Sequence, residues 1–100
     1  MSEILKYIDM HTHSTASDGT YSPSDIAILA KQASLSMIAL TDHDTMTGVD
    51  ECFNKGLELD LPVIAGVEMS CVYNEKEIHI LGYLLPDSFP PKKINIPQAI

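Results

Sequence analysis

The sequence predicts an α/β fold in which a parallel sheet is covered by helices. Short apolar runs alternate with amphipathic segments, in the order strand, helix, strand, helix, strand and hairpin. The strand-like runs are almost wholly apolar, as is typical of parallel strands buried on both faces. They begin about 25 to 33 residues apart, which suits successive βα units. A chain of 100 residues has room for a single domain.

The first βα unit has a clear helix start. The run from Ile4 to Met10 is predicted to be a strand. Ser22 is a typical helix cap, Pro23 suits the first helical position and Asp25 places an acid in the first turn. The apolar residues that follow at helical spacing are Ile26, Leu29, Ala30 and Ala33. They predict the buried face of the first helix.

The second unit repeats this pattern and leads into a hairpin. A strand is predicted from Met37 to Leu40, and Thr45 or Thr47 can cap the helix that follows. The predicted buried face of this helix consists of Val49, Cys52, Phe53, Gly56 and Leu57. A third strand is predicted from Pro62 to Val67. The two strands of the predicted hairpin, around residues 74–76, are Cys71 to Tyr73 and Glu77 to Leu84.

Composition and charge argue against several classes of function. Fourteen acidic and six basic residues give a net charge of −8, and no basic stretch could follow a phosphate backbone, so duplex nucleic acid is not an expected partner. No apolar run approaches the roughly 18 residues of a membrane span, and the N-terminus lacks the layout of a secretory signal. Cys52 and Cys71 form no C-x-x-C motif, so we expect no disulfide framework and a cytoplasmic location.

Histidine and acidic side chains recur where the predicted strands end. His11 and His13 follow the first strand two residues apart, so both imidazoles are expected on one side, and Asp9 has the same parity. Asp18 lies in the polar loop that comes next. The further candidates are Asp42, His43 and Asp44 after the second strand, Glu68 after the third strand, and His79 early in the last strand.

These side chains predict a metal centre. Ligands gather at the carboxyl ends of strands in open α/β sheets and barrels. Imidazole and carboxylate groups without thiolate favour manganese, iron, zinc or magnesium, and the set is larger than one ion requires. Clustered divalent cations suit the hydrolysis of phosphate esters, in which a metal-activated hydroxide attacks phosphorus. Glu68 carries the strongest argument, because a carboxylate at the end of an apolar strand is costly unless it meets a cation.

Structural roles stay open for several of these residues. His79 can be a satisfied core histidine in an apolar strand, and Asp18 can belong to an ordinary Asp-Gly turn. Asp42 and Asp44 can cap a helix or hold the other ring nitrogen of His43. The metal-centre prediction therefore depends on the coincidence of several strand ends rather than on any single residue.

Five segments carry a family resemblance: Asp9-Met10-His11-Thr12-His13-Ser14, Asp18-Gly19, Leu40-Thr41-Asp42-His43-Asp44-Thr45, Gly66-Val67-Glu68 and His79-Ile80-Leu81-Gly82-Tyr83. In this order and spacing they closely resemble the N-terminal motifs of the PHP (polymerase and histidinol phosphatase) family. The motifs are most similar to those of the stand-alone branch of metal-dependent phosphoesterases, which includes nucleoside bisphosphate phosphatases and 5′-3′ exonucleases. The resemblance covers about residues 6–85.

The resemblance implies a fold and a set of ligands. The fold is a distorted seven-stranded α/β barrel with a trinuclear metal site at the carboxyl ends of its strands. His11 and His13 would bind the first metal, Glu68 would bridge the first and second metals, and His79 would bind the second. The other implied residues are Asp18 and His43 on the third metal, with Asp42 as a neighbour of the ligands. Asp9 and Asp44 are further candidates for contact with the ligands.

The chain also departs from the family, whose stand-alone members are much longer. No histidine follows His79, so the later ligands of the family have no counterpart here. We expect residues 1–85 to form the N-terminal portion of a PHP domain, an incomplete distorted TIM-like (β/α)7 barrel made of the first three βα units plus a hairpin. Residues 86–100 are expected to be an irregular Pro-rich tail. An incomplete barrel leaves an open sheet edge, so self-association is expected.

The implied function is metal-dependent hydrolysis of phosphate esters. The expected substrates are phosphorylated small molecules or nucleotides, and the expected cofactors are up to three divalent ions of manganese, iron or zinc. Two alternatives stay open, namely a catalytically inert truncated PHP fragment and a non-enzymatic PHP-like interaction module. The inert alternative follows from the departure above, because half of the family's metal site has no counterpart in these 100 residues.

Overall fold

The computed structural model describes residues 6–83, which form one curved sheet with helices on one side. The elements are β1 (Ile8–Thr12), α1 (Pro23–Gln32), β2 (Met37–Leu40), α2 (Val49–Leu59), β3 (Val63–Tyr73) and β4 (Lys76–Tyr83). The strand order is β1-β2-β3-β4, with the first three strands parallel and β4 antiparallel to β3. The predicted α/β class and element order are confirmed. The predicted tail at 86–100 lies outside the described residues, as does the end of the predicted hairpin at Leu84.

Helix α1 begins as predicted but buries a different face. The Ser22 hydroxyl accepts a hydrogen bond from the Asp25 amide at 3.1 Å, and Pro23 occupies the first turn. The buried residues of α1 are Pro23, Ala27 and Ala30. Leu29, predicted to be buried, is 41% exposed, and Ala33 is exposed as well. The two small alanines let the helix approach the core closely, which turns the larger leucine outward.

Helix α2 begins without the predicted threonine cap. Its N-cap is Gly48, and no side chain caps the first turn, so the expectation for Thr45 or Thr47 is wrong. The Thr45 hydroxyl accepts from the Thr47 amide at 3.2 Å instead and stabilises the turn before the helix. A Cβ atom at Gly48 would lie 2.8 Å from Pro23 Cγ, so glycine permits the close approach of the two helices. Of the predicted face, Leu57 is 66% exposed, while the buried members are Val49, Cys52 and Gly56.

The core lies between the sheet and the two helices. Its buried members are Ala27, Ala30, Ile38, Leu40, Val49, Cys52, Leu61, Val63 and Ala65. Alternate residues of β2 and β3 enter it, namely Ile38 and Leu40 of β2 and Val63 and Ala65 of β3. No helix within residues 6–83 has the length and apolar character to cross a membrane.

Strand β1 contains a bulge that decides which of its side chains share a face. Asp9 is paired with Ile38, and Thr12 is paired with Leu40. Three steps along β1 therefore match two steps along β2, so one extra residue is inserted between Asp9 and Thr12. The bulge reverses the alternation of side chains after Asp9. Asp9 therefore lies on the helix side of the sheet with Ile38, whereas His11 points to the other side.

Strand β3 is one continuous strand, where two shorter ones were predicted. Its first residues pair with β2, and from Gly66 to Tyr73 it pairs with β4. Glu68 therefore lies inside a strand and not after its end, although it stands beyond the last ladder pair with β2. The hairpin turns on Asn74 and Glu75, whose φ angles of 50° and 63° are both positive, as in a type I′ turn.

The sheet is curled into a half-barrel. The Tyr83 hydroxyl at the end of β4 donates a hydrogen bond to the Met10 carbonyl of β1 at 2.6 Å. Three strand-to-strand steps in a flat sheet would separate β4 from β1 by about 14 Å, beyond the reach of one tyrosine. The contact therefore requires a strong curvature that brings the first and fourth strands towards each other. The described residues 6–83 supply four strands of such a barrel.

We expect Gly66→Ala to destabilise the chain by about 2 kcal/mol or more, because a side chain there would meet rigid neighbours. A Cβ atom would lie 2.8 Å from Thr41 Cγ2 and 3.2 Å from the Leu40 carbonyl oxygen. Gly82→Ala is the matched control, since its Cβ atom would make ordinary contacts of 3.6 Å or more. Chemical denaturation of both variants measures the difference. Equal stabilities would show that Gly66 is not needed where β3 changes partner.

Candidate metal centre

The six side chains predicted as ligands lie together at one end of the sheet. They are His11, His13, Asp18, His43, Glu68 and His79. Strands β1, β3 and β4 and the loops after β1 and β2 each contribute at least one of them. The isolated bridge between His43 and Glu68 extends the pairing of β2 with β3 and holds the loop after β2 against the site. Residues far apart in sequence therefore converge because β1 and β2 end near the point where β3 exchanges β2 for β4 as its partner.

Glu68 is the centre of the cluster. Its carboxylate is buried, and each of its two oxygens faces different imidazoles. Oε1 lies 2.7 Å from His11 Nε2 and 2.8 Å from His13 Nε2. Oε2 lies 2.8 Å from His79 Nδ1. One carboxylate thus faces two neighbouring positions, which is the arrangement needed to bridge two cations.

Electrostatics keep Glu68 ionised. Burial alone raises the pKa of its carboxyl group, but hydrogen bonds from His11, His79 and His13 outweigh burial and lower the pKa to about 2. The reciprocal effect is seen at His13, where burial lowers the pKa and hydrogen bonds to Asp18 and Glu68 raise it to a greater extent. The site therefore presents a permanent negative charge surrounded by nitrogen donors. A cation would take the place of the protons that now lie between them.

Asp18 links His13 to His43, on the side of His13 away from Glu68. Its Oδ1 lies 2.9 Å from His13 Nδ1, and its Oδ2 lies 3.2 Å from His43 Nε2. The hydrogen bond from His13 is the largest cause that lowers the pKa of the Asp18 carboxyl group. The rings of His13 and His43 pack edge to face, with centroids 4.4 Å apart. Asp18 is thus a ligand candidate and not merely the first residue of an Asp-Gly turn.

The donor atoms fit divalent cations. Three groups each offer nitrogen or oxygen atoms within 4.8 Å of one another: His11, His13 and Glu68; His13, Asp18 and His43; and His43, Glu68 and His79. The donors are imidazoles and carboxylates, which suit zinc, manganese and iron. Neither of the two cysteines belongs to these groups, and burial in the core raises the pKa of the Cys52 thiol to about 12. The donor chemistry and the sharing of residues fit more than one ion.

Asp42 and Asp44 hold the backbone around the cluster. The buried Asp42 carboxylate accepts hydrogen bonds from the Ser14 amide at 2.6 Å, the Ser14 hydroxyl at 2.7 Å and the Ser17 hydroxyl at 2.8 Å. These bonds fix the loop between His13 and Asp18. Asp44, at a φ of 54°, accepts from the Ser70 amide at 2.7 Å and so ties the loop after β2 to β3.

Asp9 does not share a face with the histidines, so the parity argument from the sequence is wrong at this position. The bulge in β1 places Asp9 opposite Ile38, beside a groove lined by apolar residues of α1. Its Oδ1 accepts a hydrogen bond from the backbone amide of His11 at 3.1 Å. Asp9 therefore stabilises the bulge, and it belongs to none of the three donor groups.

The sequence also failed to indicate Glu77 and the two serines that hold the site. Glu77 Oε1 lies 3.0 Å from Nε2 of His79, two residues away on β4. The signal was present, because residues two apart in a strand share a face. Ser14 and Ser17 lie in a polar loop whose composition does not distinguish them from their neighbours. Only the fold brings them to Asp42.

Comparisons with known proteins identify the family of this chain. The model of the PHP domain family matches residues 9–88. A 5′-3′ exoribonuclease of Haemophilus influenzae is 39% identical over 96% of this chain and 35% of its own length. A 3′,5′-nucleoside bisphosphate phosphatase of Chromobacterium violaceum is 35% identical over 75% of this chain and 26% of its own length. The chain thus spans about a third or less of these curated relatives.

A solved structure supports the same assignment. A protein of Bifidobacterium adolescentis assigned to the metal-dependent phosphoesterases is 32% identical and superposes with a TM-score of 0.75. The superposition covers 82% of this chain and 29% of that one. The half-barrel therefore corresponds to part of a larger structure. Sequence motifs, fold and the family match agree, and the chain belongs to the PHP domain family.

Proposed function

We propose that this chain carries part of the active site of a metal-dependent phosphoesterase that acts on phosphorylated nucleotides or RNA. The observation that carries the proposal is the buried Glu68 carboxylate, whose two oxygens face three imidazoles. The relatives named as an exoribonuclease and a nucleoside bisphosphate phosphatase support the substrate class.

The proposed assignment of ligands to ions is the one that the family resemblance implies, and each ion takes its ligands from one of the three donor groups, in which His13 and His43 each occur twice. His11, His13 and one oxygen of Glu68 would hold one ion, and His79 with the other oxygen of Glu68 would hold a second. Asp18 and His43 would hold a third. Manganese, iron and zinc are the proposed ions. When bound, such ions activate water for attack on phosphorus and neutralise the phosphoryl oxygens.

The protein's own charge makes the cations necessary for substrate binding. The chain carries a net charge of −8, and its basic residues are six lysines with no arginine. A phosphate ester approaching Glu68 and Asp18 without cations would meet like charges. Bound cations make the local electrostatic potential positive, so that the site attracts an anionic substrate. The same charge balance disfavours duplex nucleic acid as a partner.

Phosphate release is the direct test of this function. The chain would be incubated with Mn²⁺ or Zn²⁺ and either a nucleoside 3′,5′-bisphosphate or a short 5′-phosphorylated RNA. We expect release of phosphate or nucleotide that depends on the metal, stops with chelator and is lost in Glu68→Gln. Metal binding without turnover would favour the inert alternative for this chain. Failure to bind either metal would refute the proposed site.

Self-association is a second proposal, favoured by the open side of the half-barrel. Within residues 6–83, β1 pairs with β2 alone, and Ile8 on it is 52% exposed. A free strand edge can pair with another copy of the chain. Sedimentation at increasing concentration should show dimers that Ile8→Lys weakens. A wild-type chain that stays monomeric throughout the micromolar range would contradict the proposal.

Two further expectations belong with this function. We propose residues 1–85 as the N-terminal portion of a PHP domain, followed by an irregular Pro-rich tail at 86–100. A reducing cytoplasm is the proposed location, supported by two free and buried cysteines. Fractionation of cells that express a tagged copy would test the location. Recovery from an oxidising compartment would contradict it.

A further inference from the structure

Glu77 lies next to the metal centre but belongs to none of the three donor groups. It precedes His79 by two residues on β4, so both side chains lie on the same face of the strand. Glu77 Oε1 is 3.0 Å from His79 Nε2, and Glu68 Oε2 is 2.8 Å from the other ring nitrogen, Nδ1. The imidazole of His79 is thus held between two carboxylates.

The two carboxylates have different surroundings. Glu68 is buried at the centre of the cluster and takes part in two donor groups, whereas the side chain of Glu77 is 68% exposed at the rim. Ionised carboxylates only accept hydrogen bonds, and a neutral imidazole has one N–H donor and one lone pair. Without a cation both ring nitrogens can donate, Nδ1–H to Glu68 and Nε2–H to Glu77. A cation that replaced the proton between His79 and Glu68 would bind a neutral imidazole, and if Nε2–H then still donates to Glu77, the lone pair of His79 must be on Nδ1. Nδ1 is the atom that faces Glu68 and the metal centre.

We infer that Glu77 is a positioning residue that fixes the tautomer and ring orientation of His79, so that Nδ1 faces the cation shared with Glu68. This inference rests on the proposed function, because it assumes that His79 is a ligand. An acceptor on the outer nitrogen of a ligating imidazole holds the ring and increases the basicity of the inner nitrogen. An ordinary surface ion pair would do neither, and its loss would cost little.

The test uses zinc, which is diamagnetic, and the full 100-residue chain. The ion that depends on His79 is identified as the one lost in His79→Ala. Glu77→Ala should weaken binding of that ion by about tenfold, at the low end for such partners because Glu77 is exposed. Glu77→Gln keeps an acceptor oxygen and should recover most of the affinity. Glu75→Gln removes the same charge from the turn of the same hairpin and should change affinity by less than about threefold.

A spectroscopic readout separates positioning from general stability. In the zinc-loaded wild type, nuclear magnetic resonance of ¹⁵N-labelled histidine should show His79 with a protonated Nε2 and an unprotonated Nδ1. The Nε2–H signal should be lost through exchange in Glu77→Ala and retained in Glu77→Gln. If Glu77→Ala matches Glu75→Gln in affinity and keeps the signal, Glu77 has no positioning role although the site stands. If His79→Ala loses no zinc, the ligand assignment itself fails, and the inference fails with it.

Discussion

Glu68→Gln should abolish most metal binding, the largest effect expected from a single substitution in this chain. Two of the three donor groups contain Glu68, and its two oxygens face different groups of imidazoles. A neutral amide keeps the shape but offers one weakly basic oxygen and turns an NH₂ group towards nitrogen ligands. Ions in both groups should therefore lose at least about 100-fold in affinity, because a charged ligand and the bridge between the sites disappear together.

Thermal unfolding with and without Zn²⁺ measures this loss. At a free metal concentration 100 times Kd, binding stabilises the wild type by about 2.7 kcal/mol, which raises Tm by roughly 10 °C or more for a chain of this size. Glu68→Gln should show almost none of this increase. Glu58→Gln is the control, since Glu58 is exposed on α2 in a pair with Lys55 and belongs to none of the donor groups. An equal metal-dependent increase in both variants would remove Glu68 from the site.

Asp42→Ala should destabilise the metal-free chain by about 3–5 kcal/mol. The Asp42 carboxylate is 1% exposed and accepts from the amide and hydroxyl of Ser14 and from the hydroxyl of Ser17. Removing it leaves buried donors without a partner, and each such donor costs about 1–3 kcal/mol. The loop that ends at Asp18 would also lose its main anchor, so metal affinity should fall together with stability.

Ser17→Ala separates the effect of Asp42 on stability from its effect on metal affinity. It removes one of the three hydrogen bonds and leaves the carboxylate bound to Ser14, so the expected cost is about 1 kcal/mol. Urea denaturation of the metal-free variants gives the stabilities, and zinc titration gives the affinities. A loss of less than about 1 kcal/mol in Asp42→Ala would show that the loop is held by other contacts and that Asp42 is dispensable.

The sequence predicted those parts of the fold that local chemistry determines. The start of α1 follows from Ser22 and Pro23, and the bounds of β2 match the apolar run from Met37 to Leu40. The bulge in β1 and the continuity of β3 could not be predicted, because both depend on the partner strand. The wrong prediction that Leu29 is buried has the same origin. Helical periodicity does not reveal that α1 packs on the core through the small side chains of Ala27 and Ala30.

The sequence indicated the candidate ligands that lie together in the fold but not the residues that hold them in place. Ligand-type residues at successive strand ends were visible in the sequence, and the fold brings all six together. Asp9 was misplaced because an extra residue in β1 reverses the alternation of side chains. Asp42 was indicated only as a neighbour, while its role in fixing the loop depends on Ser14 and Ser17, which reach it across 28 and 25 residues of sequence.

The contact between Tyr83 and Met10 has a consequence for the order in which the chain folds. It joins residues 73 positions apart, and the candidate ligands extend over almost the same span, from His11 to His79. Closing so long a loop is entropically costly and comes late in folding. A partly folded chain would then hold too few donors to bind an ion. Metal should therefore act mainly by slowing unfolding, and have little influence on the refolding rate.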